Sequence, residues 1–76
     1  MKYVLLTGAS SGLGIVLAKM LLENKYFVVL HYNQNATEVL TLHKQYSNTS
    51  FVIQADLTKE KGILRIKNLL EAKNIS

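Results

Sequence analysis

The sequence predicts an α/β fold, a βαβαβα chain around a three-stranded parallel sheet. Three observations carry that expectation. First, three short β-rich runs alternate with three helical patterns along the 76 residues, and such alternation builds parallel sheets through right-handed crossovers. Second, the runs Tyr3–Leu6, Tyr26–Leu30 and Phe51–Ile53 are continuous rather than alternating, which suits strands covered on both faces. Third, glycines cluster between the first run and the first helical pattern, at Gly8, Gly12 and Gly14. No internal repeat, linker or low-complexity tract divides the chain.

The elements follow in order. After the first run, Leu13, Val16, Leu17, Met20 and Leu21 recur at helical spacing and form one apolar stripe. Asn24-Lys25 ends that helix, and Tyr26–Leu30 makes the second strand. The second helix opens on a capping box, with Asn35 as N-cap and Glu38 at the third helical position. Val39, Leu42, His43 and Tyr46 then share a face. His43 on that face is expected to pack at the core edge, because no second metal-type residue is spaced to join it. After Phe51–Ile53, Thr58 is the expected N-cap of a third helix, with Glu60 in its first turn. Ile63, Ile66, Leu69 and Leu70 are its expected buried side. Gly62 should weaken this helix by roughly 1 kcal/mol relative to alanine.

Composition narrows the possibilities. The chain is 49% hydrophobic and 18% charged, which excludes a disordered tail. It contains no Cys, so disulfides, a Cys nucleophile and Cys-ligated metal sites are excluded; this suits a reducing, cytoplasmic compartment. The net charge is +4, and the densest basic stretch, Lys59, Lys61, Arg65, Lys67 and Lys73, is diluted by Glu60 and Glu71 and holds no aromatic. A solvated helix face is expected there rather than a nucleic-acid interface. Tyr26–Leu30 is the longest uncharged apolar stretch, far below membrane-spanning length. The stretch after Lys2 is too short for a signal sequence. A folded chain of this mass should expose about 4,700 Å².

One motif carries chemistry: Thr7-Gly8-Ala9-Ser10-Ser11-Gly12-Leu13-Gly14. It leaves the first strand and enters the first helix. Gly8 permits a sharp turn, Gly12 clears the backbone for a pyrophosphate, and Gly14 lets the helix approach the sheet. The helix N-terminus offers unpaired N–H groups and positive dipole to phosphates. Ser10 and Ser11 add hydroxyls. No Gly-Lys-Ser/Thr occurs, so this is no P-loop. The alternative is a glycine-rich strand-to-helix turn that binds nothing.

The spacing resembles the short-chain dehydrogenase/reductase family, whose cofactor motif Thr-Gly-x-x-x-Gly-x-Gly is matched at every fixed position. The resemblance covers essentially the whole chain. It implies a partial Rossmann fold with strand order 3-2-1 and a nicotinamide dinucleotide as cofactor. It places Gly8, Ser10, Ser11, Gly12, Leu13 and Gly14 around the pyrophosphate. The segment Gln54-Ala55-Asp56-Leu57-Thr58 looks like the family's adenine-binding segment, with Asp56 on the adenine amino group and the Leu57 backbone close by. An acid at the end of the second strand would bind the ribose hydroxyls and repel a 2′-phosphate. Tyr32 stands there, flanked by His31 and Asn33, and no acid occurs between Glu23 and Glu38. That favours NADP over NAD, with His31, Asn33 and Gln34 as hydrogen-bonding partners for the phosphate. The His-Tyr-Asn ending resembles NADPH-using members such as 3-oxoacyl-acyl-carrier-protein reductases. An exposed strand-end aromatic is the competing account of Tyr32.

The family's catalytic Tyr-x-x-x-Lys is absent. Tyr3, Tyr26, Tyr32 and Tyr46 are followed four positions on by Thr7, Leu30, Ala36 and Ser50. The chain is therefore expected to be the N-terminal, cofactor-binding part of a short-chain carbonyl/alcohol oxidoreductase, catalytically incomplete by itself. A stand-alone nucleotide-binding or regulatory module is the main alternative, and an interaction domain that binds no nucleotide is a third. In strand order 3-2-1, Tyr3–Leu6 is an open apolar edge, guarded only by Lys2. Pairing or self-association through that strand is expected. The substrate is not legible.

Overall fold

The computed structural model describes residues 2–9 and 12–72. Ser10, Ser11 and Lys73, named above, lie outside them. Six elements run in order: β1 Tyr3–Leu6, α1 Gly12–Glu23, β2 Phe27–Tyr32, α2 Thr37–Gln45, β3 Ser50–Gln54 and α3 Glu60–Ala72. The strands form one parallel sheet in the order β1-β2-β3. Val4 pairs with Val28, Leu6 with Leu30, and Leu30 in turn with Val52. The expected α/β fold is what forms.

The two sheet faces are covered unequally. Val28 and Leu30 of β2 pack against Ala18 and Leu22 of α1 and Val39 and Leu42 of α2. On the other face, Val29 and Ile53 pack against Ile66, Leu69 and Leu70 of α3. Only β2 is buried along its interior on both faces. β1 alternates between exposed and half-buried residues. Tyr3 is 52% exposed and Leu5 38%, although Tyr3 packs on Phe27 with ring centroids 5.1 Å apart. The continuous apolar run thus marks a covered strand at β2 and an open edge at β1.

Helix α1 departs from the expected stripe. Its buried residues are Gly14, Ala18 and Leu22. Leu13 is 72% exposed, Val16 54%, Leu17 40% and Met20 55%. The cause is composition: GLGIVLAKMLLE is apolar nearly all round, so periodicity alone could not select a face. The small residues face the sheet and permit close approach. The second apolar face is left open beside β1, where Leu6, Leu17, Met20, Leu21 and Tyr26 line a groove of about 470 Å³. The accessible area of 5163 Å² accordingly exceeds the about 4,700 Å² expected of a compact chain this size. The helix ends in a Schellman arrangement: Tyr26 N–H donates to the Leu21 carbonyl and Lys25 N–H to that of Leu22, with Lys25 left-handed at φ 69°.

Both other helices start later than expected. α2 has Ala36, not Asn35, at its N-cap, with no side-chain cap. Asn35 instead accepts the Thr37 N–H at 3.2 Å, a local turn that competes with the capping box. Thr58 does not cap α3; its hydroxyl and its N–H both donate to Asp56 Oδ1. Ile63, expected in the core, is 55% exposed. Lys59, Lys61, Arg65 and Lys67 are all exposed, as expected of a solvated face, and Lys67 lies 3.9 Å from Glu71.

Candidate functional site

The C-terminal ends of the three strands meet at one edge of the sheet, where open α/β sheets bind ligands. The chain leaving β1 turns at Gly8, whose φ of +66° favours glycine. Ala9 is fully buried and donates its N–H to the His31 carbonyl at 2.8 Å. On the other side, Ala55 N–H donates to the Tyr32 carbonyl at 3.1 Å. Gln54 adds an Nε2 bond to the Asn33 carbonyl at 3.0 Å. Backbone ties therefore fasten the glycine turn and the exit of β3 to the end of β2.

His31 reinforces this with its side chain. The Gly8 N–H donates to Nδ1 at 3.1 Å, and Nε2 donates to the Ala55 carbonyl at 2.8 Å. The residue is 5% exposed. Sequence reasoning offered His31 as a phosphate partner; the structure turns both ring nitrogens onto the chain's own backbone. A signal for this was available: a polar residue directly follows the apolar run Val28–Leu30, and a buried polar group must find partners.

Helix α1 begins at Gly12, next to this edge, and has no acidic residue in its first turn. Its positive end is therefore uncompensated by its own side chains. A Cβ at Gly12 would meet nothing within 4 Å. Leu13 is exposed, and Gly14 is buried toward the sheet as its spacing implied. Ser10 and Ser11 fall outside the described residues. Gly8, His31, Asn33, Gln34 and Asn35 line an open cleft of about 450 Å³. Tyr32 is half-buried and packs against the core on the α1/α2 face.

Asp56 lies across Ala55 from that cleft and lines a neighbouring groove of about 590 Å³ with Lys59 and Gly62. The Thr58 hydroxyl, at 2.6 Å, and the Thr58 N–H, at 2.9 Å, hold the Asp56 carboxyl below its ordinary range, with Lys59 adding a smaller pull. The carboxylate is ionised and fixed in orientation. Leu57 follows it, partly exposed in the turn before α3. Gly62 packs directly on the Asp56 backbone.

A second histidine pair looks catalytic but is not arranged for it. His43 Nδ1 lies 2.6 Å from Ser50 Oγ, and that hydroxyl donates to the Tyr46 carbonyl at 2.7 Å. The ring must therefore donate to the serine, whereas a nucleophile needs its base to accept. The pair ties α2 to β3, consistent with His43 as a core-edge residue. Among the described residues, no cluster of three His, Cys, Asp or Glu could hold a metal, and no helix is long and apolar enough to cross a membrane.

Comparison with known proteins finds relatives in sequence and in fold. The short chain dehydrogenase family model matches residues 2–73. The uncharacterized oxidoreductase YgfF of Escherichia coli (strain K12) is 37% identical over 67 residues, which covers 84% of this chain and 27% of that protein. Glucose 1-dehydrogenase 2 of Bacillus subtilis (strain 168) is 34% identical over 65 residues, 82% of this chain and 25% of its own length. Among solved structures, a protein described as a 3-oxoacyl-reductase from Bacillus thuringiensis superposes with a TM-score of 0.82 at 25% identity, over 95% of this chain and 31% of its own. A 4-hydroxyisoleucine dehydrogenase complexed with NADH superposes with a TM-score of 0.86 over 100% of this chain and 30% of its own; at 24% identity the likeness is one of fold. The chain spans about a quarter of the length of the relatives it matches in sequence.

Proposed function

Since the chain belongs to the short chain dehydrogenase family, we propose that it forms the NADP(H)-binding part of a short-chain carbonyl/alcohol oxidoreductase. One observation carries this: the left-handed Gly8 turn, the open space at Gly12 and the ends of β2 and β3 share one sheet edge at the head of α1. That edge fits a dinucleotide. The backbone around Gly12 and the α1 N-terminus receive the pyrophosphate. Asp56 has both Thr58 bonds on Oδ1, so Oδ2 is the oxygen assigned to the adenine amino group. The Leu57 backbone flanks it.

NADP is preferred over NAD because the end of β2 carries no acid. Tyr32 stands at the ribose position, with Asn33 and Gln34 exposed after it. Neutral amides hydrogen-bond a 2′-phosphate without the repulsion a carboxylate would impose. With His31 turned inward, Asn33 and Gln34 are the side chains assigned to that phosphate. The bound nicotinamide supplies hydride chemistry; the protein supplies position and electrostatics. No Tyr-x-x-x-Lys occurs in these 76 residues, so the general acid of the reaction is assigned to sequence outside them.

Fluorescence titration with NADPH and NADH tests the proposal. NADPH should bind more tightly. Equal or tighter NADH binding would overturn the cofactor choice, and absence of binding by either at millimolar concentration would overturn the dinucleotide site.

Leu6 at the end of β1 and Leu17 and Met20 of α1 line one apolar groove, Leu13 and Val16 of α1 are exposed as well, and an uncovered strand edge invites pairing. We propose that this surface is paired in solution. Sedimentation at tens of micromolar should show a species heavier than 8.5 kDa; a strictly monomeric, soluble chain would refute the pairing.

A further inference from the structure

We infer that His31 is a positioning residue of the dinucleotide site, whose neutral, Nε2-protonated ring clamps the glycine turn in its binding conformation. The inference rests on the dinucleotide reading above and deepens it.

The hydrogen bonds fix the tautomer. A backbone N–H can only donate, so Gly8 requires a lone pair on Nδ1. A backbone carbonyl can only accept, so Ala55 requires a proton on Nε2. Only the neutral Nε2–H ring satisfies both. The opposite neutral tautomer sets donor against donor at Gly8 and lone pair against lone pair at Ala55. The imidazolium keeps Ala55 and loses Gly8.

The same residue holds two successive turn amides. Its ring takes the Gly8 N–H and its carbonyl takes the Ala9 N–H. Gly8 sits at φ +66°, where the direction of the chain into α1 is set. The ring also reaches across to β3, so all three strand exits are locked by one buried side chain. The cleft beside it is the one assigned to the cofactor.

Loss of the bond at Nδ1 should therefore loosen the site. The elements around the ring bring little titratable chemistry to it. β1 and its turn carry no ionisable side chain between Tyr3 and Lys19, and β3 carries none before Asp56. Asp56 Oδ1 is taken by Thr58. The residues of α3 against the sheet are Ile66, Leu69 and Leu70, while Glu60, Lys61 and Arg65 are exposed. Tyr32 packs on the opposite sheet face, as do α1 and α2.

The test uses the full chain, labelled with 15N, and NADPH. The His31 ring should give a pyridine-like Nδ1 and a protonated Nε2, resolved from His43, with the Gly8 amide protected from exchange. In His31→Ala, Gly8 protection should be lost and NADPH affinity should fall about tenfold or more, as expected for a binding loop that loses a buried hydrogen bond. In His31→Asn, Oδ1 occupies the place of Nδ1 and can accept from the Gly8 N–H, so most protection and affinity should return. In His31→Gln, the amide reaches toward Ala55 instead, and affinity should stay low. A ring protonated on Nδ1, a Gly8 amide equally protected in His31→Ala, or equal binding by the Asn and Gln variants would overturn the clamp. Failure of the unsubstituted chain to bind NADPH would overturn the dinucleotide reading instead, while the ring tautomer and the Gly8 amide still decide the clamp.

Discussion

Replacing Gly12 with valine is expected to weaken NADPH binding by about a hundredfold or more, roughly 2.8 kcal/mol, while the melting temperature stays near that of the unsubstituted chain. The two readouts separate because of where Gly12 sits. A Cβ there meets nothing within 4 Å, and φ at Gly12 is not left-handed. The first side-chain carbon of a valine there therefore finds open space among the described residues. What it fills is the space at the helix head, where a pyrophosphate must come within hydrogen-bonding distance of backbone N–H groups. Gly8 would be a poorer probe. Its φ of +66° strains any L side chain whatever the room, so lost binding there would be confounded with a broken turn. Fluorescence titration and a thermal melt on the same Gly12→Val preparation decide the matter. Unchanged affinity would move the phosphates away from this helix.

The glycine spacing and the strand–helix alternation were legible because each reflects a constraint local to a few residues. A sharp exit from β1, close approach of α1 and three apolar runs leave their mark directly in composition. What was not legible depends on neighbours distant in sequence. In α1 an all-round apolar helix gives periodicity no contrast; Gly14 and Ala18, the small residues, mark the buried face. Thr58 looks like an N-cap in sequence, yet Asp56 two residues earlier captures both its hydroxyl and its N–H, and α3 starts later. Asn35 was diverted by a similar local bond. For His31, residue type shows hydrogen-bonding capacity and not its direction. Its ring points inward because β1 and β3 bring Gly8 and Ala55 within reach on either side, at sequence separations of 23 and 24 residues.

Gly62 is where local and tertiary terms oppose each other most sharply, and Gly62→Ala should reveal which wins. Helix propensity alone favours alanine by about 1 kcal/mol. The tertiary structure opposes it, because a Cβ at residue 62 would overlap the Asp56 carbonyl oxygen and stand 2.6 Å from its carbon. The obstacle is backbone, so no rotamer change relieves it. α3 or the Asp56–Lys59 turn must shift, although Gly62 N–H and Ile63 N–H both donate to the Lys59 carbonyl in that same turn. Overpacking of this kind costs about 1–3 kcal/mol and occasionally more. Against a backbone atom the upper end applies, which leaves a net loss of about 2 kcal/mol after the propensity gain. For a chain of this size that lowers the melting temperature by about 8–16 °C. The same shift would disturb Asp56, so NADPH affinity should fall together with stability, unlike in Gly12→Val. A variant that melts higher than the unsubstituted chain would mean that α3 does not seat against Asp56. The close approach, and the placement of adenine beside it, would then both be wrong.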